Sequence, residues 1–436
     1  MQLVSLPTEV LIHIFSNLDW KSILRVQSVC KKIHELCSST SLQYGLLLGI
    51  AGYEDVSNHL VSISQRLDLL KKVESSFSYA NFGHKERFSL GEESISSYDL
   101  QGGFFVQGEN GGGHWIGTNS TDIYQLPSSF NNTGNFGSWK LPTFERPIRD
   151  LTLDPTQDLL VLIEEDLSQG HQRISLHFKS LTTGEPHPLS SGSYLAHQTE
   201  PGMSVGLEFI IAVMGSFVGL LFSSQIYTIC NWKTGKTHMK LSTTHDDEID
   251  GFFFLDYGRV GLVRGQRSPA EIDIYKFSTS EDIPQSTELM AKYHLPFDGR
   301  LRFQRVYCRS DPAPPTTIGT STALGSNFSY SSPPFVSRVE DRVIVMDILL
   351  QPDEDHVHSY SILIRGETLM NIPKGVKCID GTYLIPSELW MHQTFLQPTL
   401  FSSANWACFV YGSHLVRIKA GLRCMEVTFL DFNPRL

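Results

Sequence analysis

The sequence predicts a helical N-terminal region followed by a larger all-β domain. Three observations carry that expectation. Apolar residues recur at helical spacing up to about residue 95. From about residue 96 onward, short β-branched and aromatic runs separated by glycine-containing turns replace that periodicity. Those runs then return in the same order at a spacing near fifty residues. With 436 residues, 41% apolar and 19% charged, the chain has material for one small and one large domain, each with a core.

The helical elements come first. Pro7 suits a first helical turn, and Val10, Leu11, Ile14, Phe15 and Leu18 form one apolar stripe behind it. Asp19 is placed to cap the next helix. There Ile23, Val26, Cys30, Ile33 and Cys37 step by three and four, flanked by Leu24, Val29 and Leu36, which predicts a single amphipathic helix. A further helix is expected across Leu60, Ile63, Leu67 and Leu70.

The strands follow in units. Leu151–Pro155, Asp158–Ile163 and Arg173–Phe178 lead to a Thr183-Gly184 turn. Leu207–Val213, Val218–Phe222 and Gln225–Ile229 repeat the order and end at Thr234-Gly235, so the two turn glycines stand 51 residues apart. Gly251–Leu255, Val260–Val263 and Glu271–Phe277 make a third unit. Fainter copies occur at Gly103–Val106, at Arg342–Met346 with Ser359–Ile364, and at Ala407–Tyr411 with Leu415–Ile418. Radial repetition protects strand edges in a long all-β chain, so a β-propeller of six or seven blades is expected, with an irregular sandwich as the alternative. Val205–Phe222 is short for a membrane span, carries Glu208 and has a Gly215-Ser216 turn signal, which predicts a buried hairpin. Residues 309–335 are rich in Ser, Thr and Pro without apolar periodicity and read as a flexible surface insertion.

Charge and cysteine usage exclude several classes. A formal charge of −11 argues against nucleic acid or an anionic membrane as the main partner. Seven scattered cysteines with no C-x-x-C pair fit a reducing compartment and no zinc framework. With no signal-peptide pattern at Met1–Pro7, a cytoplasmic or nuclear location is expected. Gly111–His114 lacks the Lys-Ser/Thr of a phosphate loop, and Asp353–His358 and His245–Glu248 read as solvated acidic loops rather than metal sites. No catalytic set, cofactor or metal site is expected.

Leu6-Pro7, Glu9, the Leu11/Ile14/Phe15/Leu18 set, Asp19, Ile23-Leu24, Val29, Leu36 and Leu42 together resemble an F-box of fungal type. Ile33 stands where that family often has Trp, and Tyr44 comes late where Leu-Trp is common. Cys230-Asn-Trp-Lys-Thr-Gly-Lys236 resembles the end of a WD-type blade, with Cys230 and Asn231 in place of its Trp and Asp. Lys179–Gly184 is a weaker copy.

The resemblance implies an F-box at residues 1–48, a helical linker at 49–95 and a propeller-like recognition domain at 96–436. It implies a Skp-type adaptor as partner, and through it a cullin scaffold. The adaptor-facing roles would fall on Leu6, Pro7, Leu11, Ile14, Phe15, Leu18, Ile23, Leu24 and Val29, with Phe15 and Leu18 as the large anchors. Periodicity alone does not separate those that face the partner from those that face the module's own core. The chain would be the non-catalytic substrate receptor of a ubiquitin ligase, with a protein substrate on its C-terminal domain. The rivals are a scaffold that binds adaptor without modifying anything, and an enzyme built on the propeller.

Overall fold

The computed structural model describes residues 3–56, 61–78, 95–110, 117–126, 137–144, 146, 148–167, 171–199, 208–280, 287–297, 302–310, 333–351, 358–398, 410–412, 414–420 and 425–431. The chain opens with four short helices: α1 (Thr8–Phe15), α2 (Trp20–Gln27), α3 (Lys31–Cys37) and α4 (Thr40–Ala51). Pro7 stands at the N-cap of α1. Asp19 caps α2 as expected, its carboxylate accepting the Ser22 N–H at 2.6 Å. That bond also holds its carboxyl below the ordinary aspartate range.

The run from Ile23 to Cys37 folds as two helices, not one. Ser28 Oγ donates to the Arg25 carbonyl at 2.7 Å and closes α2, and Cys30, extended at φ −160° and ψ 163°, caps α3. Ile23, Ile33 and Cys37 are buried across the break, while Val29 and Cys30 turn outward. Cys30 and Cys37 therefore do not share a helix, and the five described cysteines are all free.

A short strand, β1 (Tyr53–Asp55), and a longer helix, α5 (Ile63–Ser78), follow. Ser62 and Gln65 form a reciprocal cap at the start of α5. Leu67 and Leu70 are buried as their spacing predicts, whereas Ile63 is exposed and Leu60 lies outside the described residues.

The rest of the chain is β. The first blade is β2 (Ile95–Gln101), β3 (Phe104–Asn110), β4 (Thr118–Gln125) and β5 (Gly137–Lys140). The second, joined to the first by a single β4 pair at Thr118↔Ile148, is β6 (Ile148–Asp154), β7 (Leu159–Asp166), β8 (Arg173–Ser180) and β9 (Tyr194–Gln198). The third is β10 (Phe209–Met214), β11 (Phe217–Phe222), β12 (Ile226–Asn231) and β13 (Thr237–Ser242). The fourth is β14 (Gly251–Asp256), β15 (Arg259–Arg264), β16 (Glu271–Phe277) and β17 (Thr287–His294).

The fifth blade begins with β18 (Arg302–Arg309) and is interrupted by β19 (Phe335–Ser337), which pairs elsewhere. It continues through β20 (Val343–Gln351) and β21 (His358–Arg365). An excursion through α6 (Gly366–Met370), β22 (Lys377–Ile379) and β23 (Thr382–Ile385) extends the fourth blade, with β23 parallel to β17. β24 (Thr394–Pro398) then closes the fifth. A last sheet contains β25 (Val410–Tyr411), β26 (His414–Ala420) and β27 (Met425–Asp431).

First strands of successive blades lie side by side: β2 by β6, β6 by β10, β10 by β14 and β14 by β18. Apolar clusters fill the spaces between sheets. Leu159 and Phe178 meet Val218 and Trp232, and Ile272 and Tyr293 meet Ile344 and Ile362. A propeller buries its core in this way, between sheets rather than on one face of each. The apolar segment before Phe222 is the expected hairpin, paired from Phe209↔Phe222 to Met214↔Phe217. Among the described residues no helix is long and apolar enough to cross a membrane.

The repeated turns share a geometry. Gly184 and Gly235 both take left-handed φ, +74° and +69°, which glycine adopts without strain. Asn231 Oδ1 accepts the Lys233 and Thr234 amides, and Ser180 Oγ accepts the Thr183 amide in the preceding blade. Trp232 is fully buried and donates its indole N–H to the Gly215 carbonyl at 2.8 Å.

The N-terminal helices are joined to the β domain by main chain. β1 pairs antiparallel with β19, from Tyr53↔Ser337 to Asp55↔Phe335. Arg338 donates its guanidinium to the Gly49 carbonyl at 2.8 Å and its amide to the Gly52 carbonyl at 2.9 Å. Phe335 is buried with Tyr44, Leu48, Leu67 and Leu70. Two expectations change. The linker at 49–95 contains a strand, and the insertion set at 309–335 is narrower, because Arg309 ends β18 and Phe335 is core. Residues 311–332 lie outside the described residues.

A fragment starting at residue 96 leaves β19 without its partner and uncovers Phe335, a side chain whose burial is worth about 1.5–3 kcal/mol. It should keep a strand-dominated circular dichroism spectrum and melt several degrees below the full chain. Equal melting temperatures would show that the joint adds nothing.

Candidate functional site

The first site is the face of the four-helix module. About forty residues enclose only a small core. Leu11, Phe15, Ile23, Ile33, Leu36, Cys37 and Leu42 fill it, with Leu6, Ile12, Leu18, Val26 and Leu46 packed at its edge. Leu11 and Phe15 are one turn apart on α1 and point inward. Val10 and Ile14, offset by one residue, form a second i,i+4 pair that points outward.

The nine residues singled out from sequence thus divide. Leu11, Phe15 and Ile23 are buried inside the module, and Leu6 and Leu18 are half-buried beside them. Pro7, Ile14, Leu24 and Val29 are exposed, Val29 at 68%. Leu3 and Val10 join them, although neither was singled out as partner-facing. The signal for Val10 was its helical pairing with Ile14. Of the fifteen large apolar side chains exposed among the described residues, five lie between Leu3 and Val29. That concentration leaves the short module with much of its apolar side-chain surface exposed. Ile33, in the place where Trp is common, is a core residue. Trp20 instead packs over Gly49 of α4, where an added Cβ would meet its side chain at 2.7 Å.

Tyr44 fixes the far end of the module. Its hydroxyl donates to Asp55 at 2.6 Å, and Arg66 reaches both oxygens of the same carboxylate at 2.8 and 2.9 Å. Burial, with Asp55 beside it, pushes the Tyr44 hydroxyl well above its ordinary pKa. Three elements, α4, β1 and α5, are held by that one carboxylate.

The second site is the propeller axis. The first strands of all five four-stranded blades line one cavity of about 180 Å³, which includes Asp99, Asp150, Ile211, Phe253 and Arg309. Asp99 and Asp150 escaped the sequence reading because their strands meet only when the blades close around the axis. Five other arginines of the β domain are paired outside this cavity. Arg149 pairs with Glu165, Arg259 with Asp256, Arg264 and Arg267 with Asp247 and Asp273, and Arg305 with Glu208. Those pairs give Asp247, in the His245–Glu248 loop, a structural role. No group of three metal-ligating side chains occurs among the described residues, while residues 111–116 and 352–357 lie outside them.

Residues 3–47 match the F-box-like family. That match covers the N-terminal helical module, which is F-box-like, and a β domain follows it. No curated protein matches it. Among solved structures, it is similar to Hsv2 of Kluyveromyces lactis at 9% identity over 46% of this chain and 62% of that one, TM-score 0.31. The computationally designed protein Ika4 matches at 12% over 45% of this chain and 99% of that one, TM-score 0.29. The C-terminal WD40 domain of Sif2 matches at 11% over 50% and 64%, TM-score 0.30. This chain spans less than two thirds of the Hsv2 and Sif2 chains. The propeller assignment rests on strand order and inter-sheet packing, not on these likenesses.

The division between core and face has a direct consequence. Phe15→Ala should cost about 3–5 kcal/mol of module stability, as a large-to-small change in a tight core does. Leu24→Asp or Ile14→Asp, on the open face, should stay within about 0.5 kcal/mol. Helical circular dichroism followed through thermal melting measures both. Similar losses for all three would show that the outer residues are packed.

Proposed function

We propose that the protein is a substrate receptor of a Skp/cullin/F-box ubiquitin ligase. The observation that carries this is the exposed apolar set Val10, Ile14, Leu24 and Val29 on an F-box-like module whose own core is already complete. In this reading the set docks a Skp-type adaptor, with Leu11, Phe15 and Ile23 shaping the face from beneath and Leu6, Pro7 and Leu18 bordering it. The cullin scaffold joins through the adaptor. The propeller holds a protein substrate, in the cytoplasm or nucleus.

The mechanism is proximity. Holding the substrate and the charged ligase arm on one body makes ubiquitin transfer effectively intramolecular, and the chemistry belongs to the other subunits. The main-chain joint between β1 and β19 supports this, because it fixes the docking module relative to the recognition domain. A charge of −11 favours a protein partner over nucleic acid or an anionic membrane.

Ile14→Asp combined with Leu24→Asp places two charges in the docking face. If each side chain is a central anchor, affinity for the adaptor should fall about tenfold or more per site, and co-purification should disappear. Adaptor retained at wild-type level in a folded double variant would refute docking through this face. Reconstituted ubiquitylation with bound substrate then distinguishes a receptor from a scaffold, which would bind adaptor and modify nothing.

A further inference from the structure

The cavity on the propeller axis contains two carboxylates in different situations. Asp99, on β2, is fully engaged. Its oxygens accept the Leu100 amide at 2.9 Å, Thr152 Oγ1 at 2.8 Å and Gln101 Nε2 at 3.1 Å, and Arg309 from the fifth blade stands 3.5 Å away. Asp150, on β6, lines the same cavity and accepts one hydrogen bond, from the neighbouring Leu151 amide at 2.9 Å. Among the described residues it has no ion pair. Its second oxygen is left to the cavity.

The basic groups nearby are already committed. Arg309 faces Asp99, and Arg342, almost wholly buried, donates to the carbonyl and hydroxyl of Ser310 at 2.7 and 2.8 Å. A carboxylate is therefore what the cavity has to offer a ligand. A volume of about 180 Å³ is below the roughly 300–1,000 Å³ typical of small-molecule sites and suits one inserted side chain. We infer that the axial cavity receives a cationic side chain, a lysine ammonium or arginine guanidinium of a partner polypeptide, with Asp150 as its anchoring carboxylate.

The local electrostatics agree with a cation rather than an anion. Burial, reinforced by Asp99, outweighs Arg309 and pushes the Asp150 carboxyl up to about 7. A cation drawn into the cavity favours the ionised form, so binding should be stronger at pH 8 than at pH 5.5 and should release protons near neutrality. The other titratable and charged groups lining the cavity are Tyr98, Asp99, Tyr307, Cys308, Arg309 and Arg342. Burial raises the Cys308 thiol far above this range, and Asp250, which acts on Cys308, is itself pushed up to about 6 by burial.

The inference deepens the receptor reading and rests on the propeller being its recognition domain. The test uses the full chain without adaptor, so its result is separate from that of docking. Thermal melts are recorded with n-butylammonium or n-butylguanidinium chloride against sodium chloride of equal ionic strength, at pH 8 and pH 5.5. At saturating concentration one or both probes should raise the melting temperature by about 2 °C or more at pH 8, and by less at pH 5.5.

Asp150→Asn should raise the ligand-free melting temperature at pH 8, by removing a buried charge without a partner, and should abolish the probe shift. Where that variant fails to fold, Asp150→Ser replaces it. No shift beyond sodium chloride, an equal shift in the variant, or stabilisation by sodium phosphate instead would each overturn the inference. If the Asp150 variant keeps adaptor co-purification while losing probe binding, the two halves of the receptor are independent. Loss of adaptor binding by the docking-face variants alone would fail the docking reading and leave this one standing.

Discussion

The Asp55 carboxylate is the point on which the architecture turns. It takes Tyr44 from α4 and both contacts from Arg66 on α5, while its own strand pairs with β19 from the fifth blade. An isolated surface ion pair contributes little, but this one is half-buried, has one guanidinium nitrogen on both carboxylate oxygens, and holds a strand in register. Arg338 adds two bonds from the β domain to the end of α4. Phe77 on α5 meets His414 of the last sheet in a tilted contact, with ring centroids 4.0 Å apart. The N-terminal helices are consequently part of the β domain's packing rather than a tethered appendage.

The rest of the molecule follows from how little a short helical module can bury. Seven buried side chains complete its core, and among the described residues Leu3, Val10, Ile14, Leu24 and Val29 stay exposed outside it. Phe335 shows the other solution, since it is covered by α4 and α5. The module thus presents two apolar sides. One is closed by the propeller, and the other is exposed among the described residues. The propeller keeps its own cores between blades and lines the axis with a mixture of apolar and charged side chains.

Much of this was legible in the sequence, for identifiable reasons. Strand runs and turn glycines depend on local propensity, so the units ending at Gly184 and Gly235 appear as written. The stripe of α1 and the Asp19 cap are equally local. The break between α2 and α3 was hidden because no Gly or Pro marks it and the three-four spacing runs through it. The local clues were Ser28, which closes α2 through its hydroxyl, and the exposed Val29 and Cys30. β1 and β19 were invisible, being three residues each and almost three hundred apart. The Asp99–Asp150 pair was equally hidden, because it exists only once β2 and β6 meet at the axis. Burial on α1 also reassigns Phe15, whose size suggested an anchor for a partner and whose position makes it an anchor for the module itself.

The N-terminal helical module and the propeller form one rigid body in this account, and two native residues allow a direct test. Cys30 on the docking module and Cys378 on the edge of the fourth blade are both exposed thiols. Cys37 and Cys230 are buried, Cys308 is partly so, and Cys408 and Cys424 can be changed to Ser. Spin labels on Cys30 and Cys378 would report the distance between the two domains by pulsed dipolar spectroscopy. A rigid joint predicts one narrow distance distribution, which broadens when Asp55→Ala removes the shared carboxylate. A broad or multiple distribution in the unaltered protein would contradict the account.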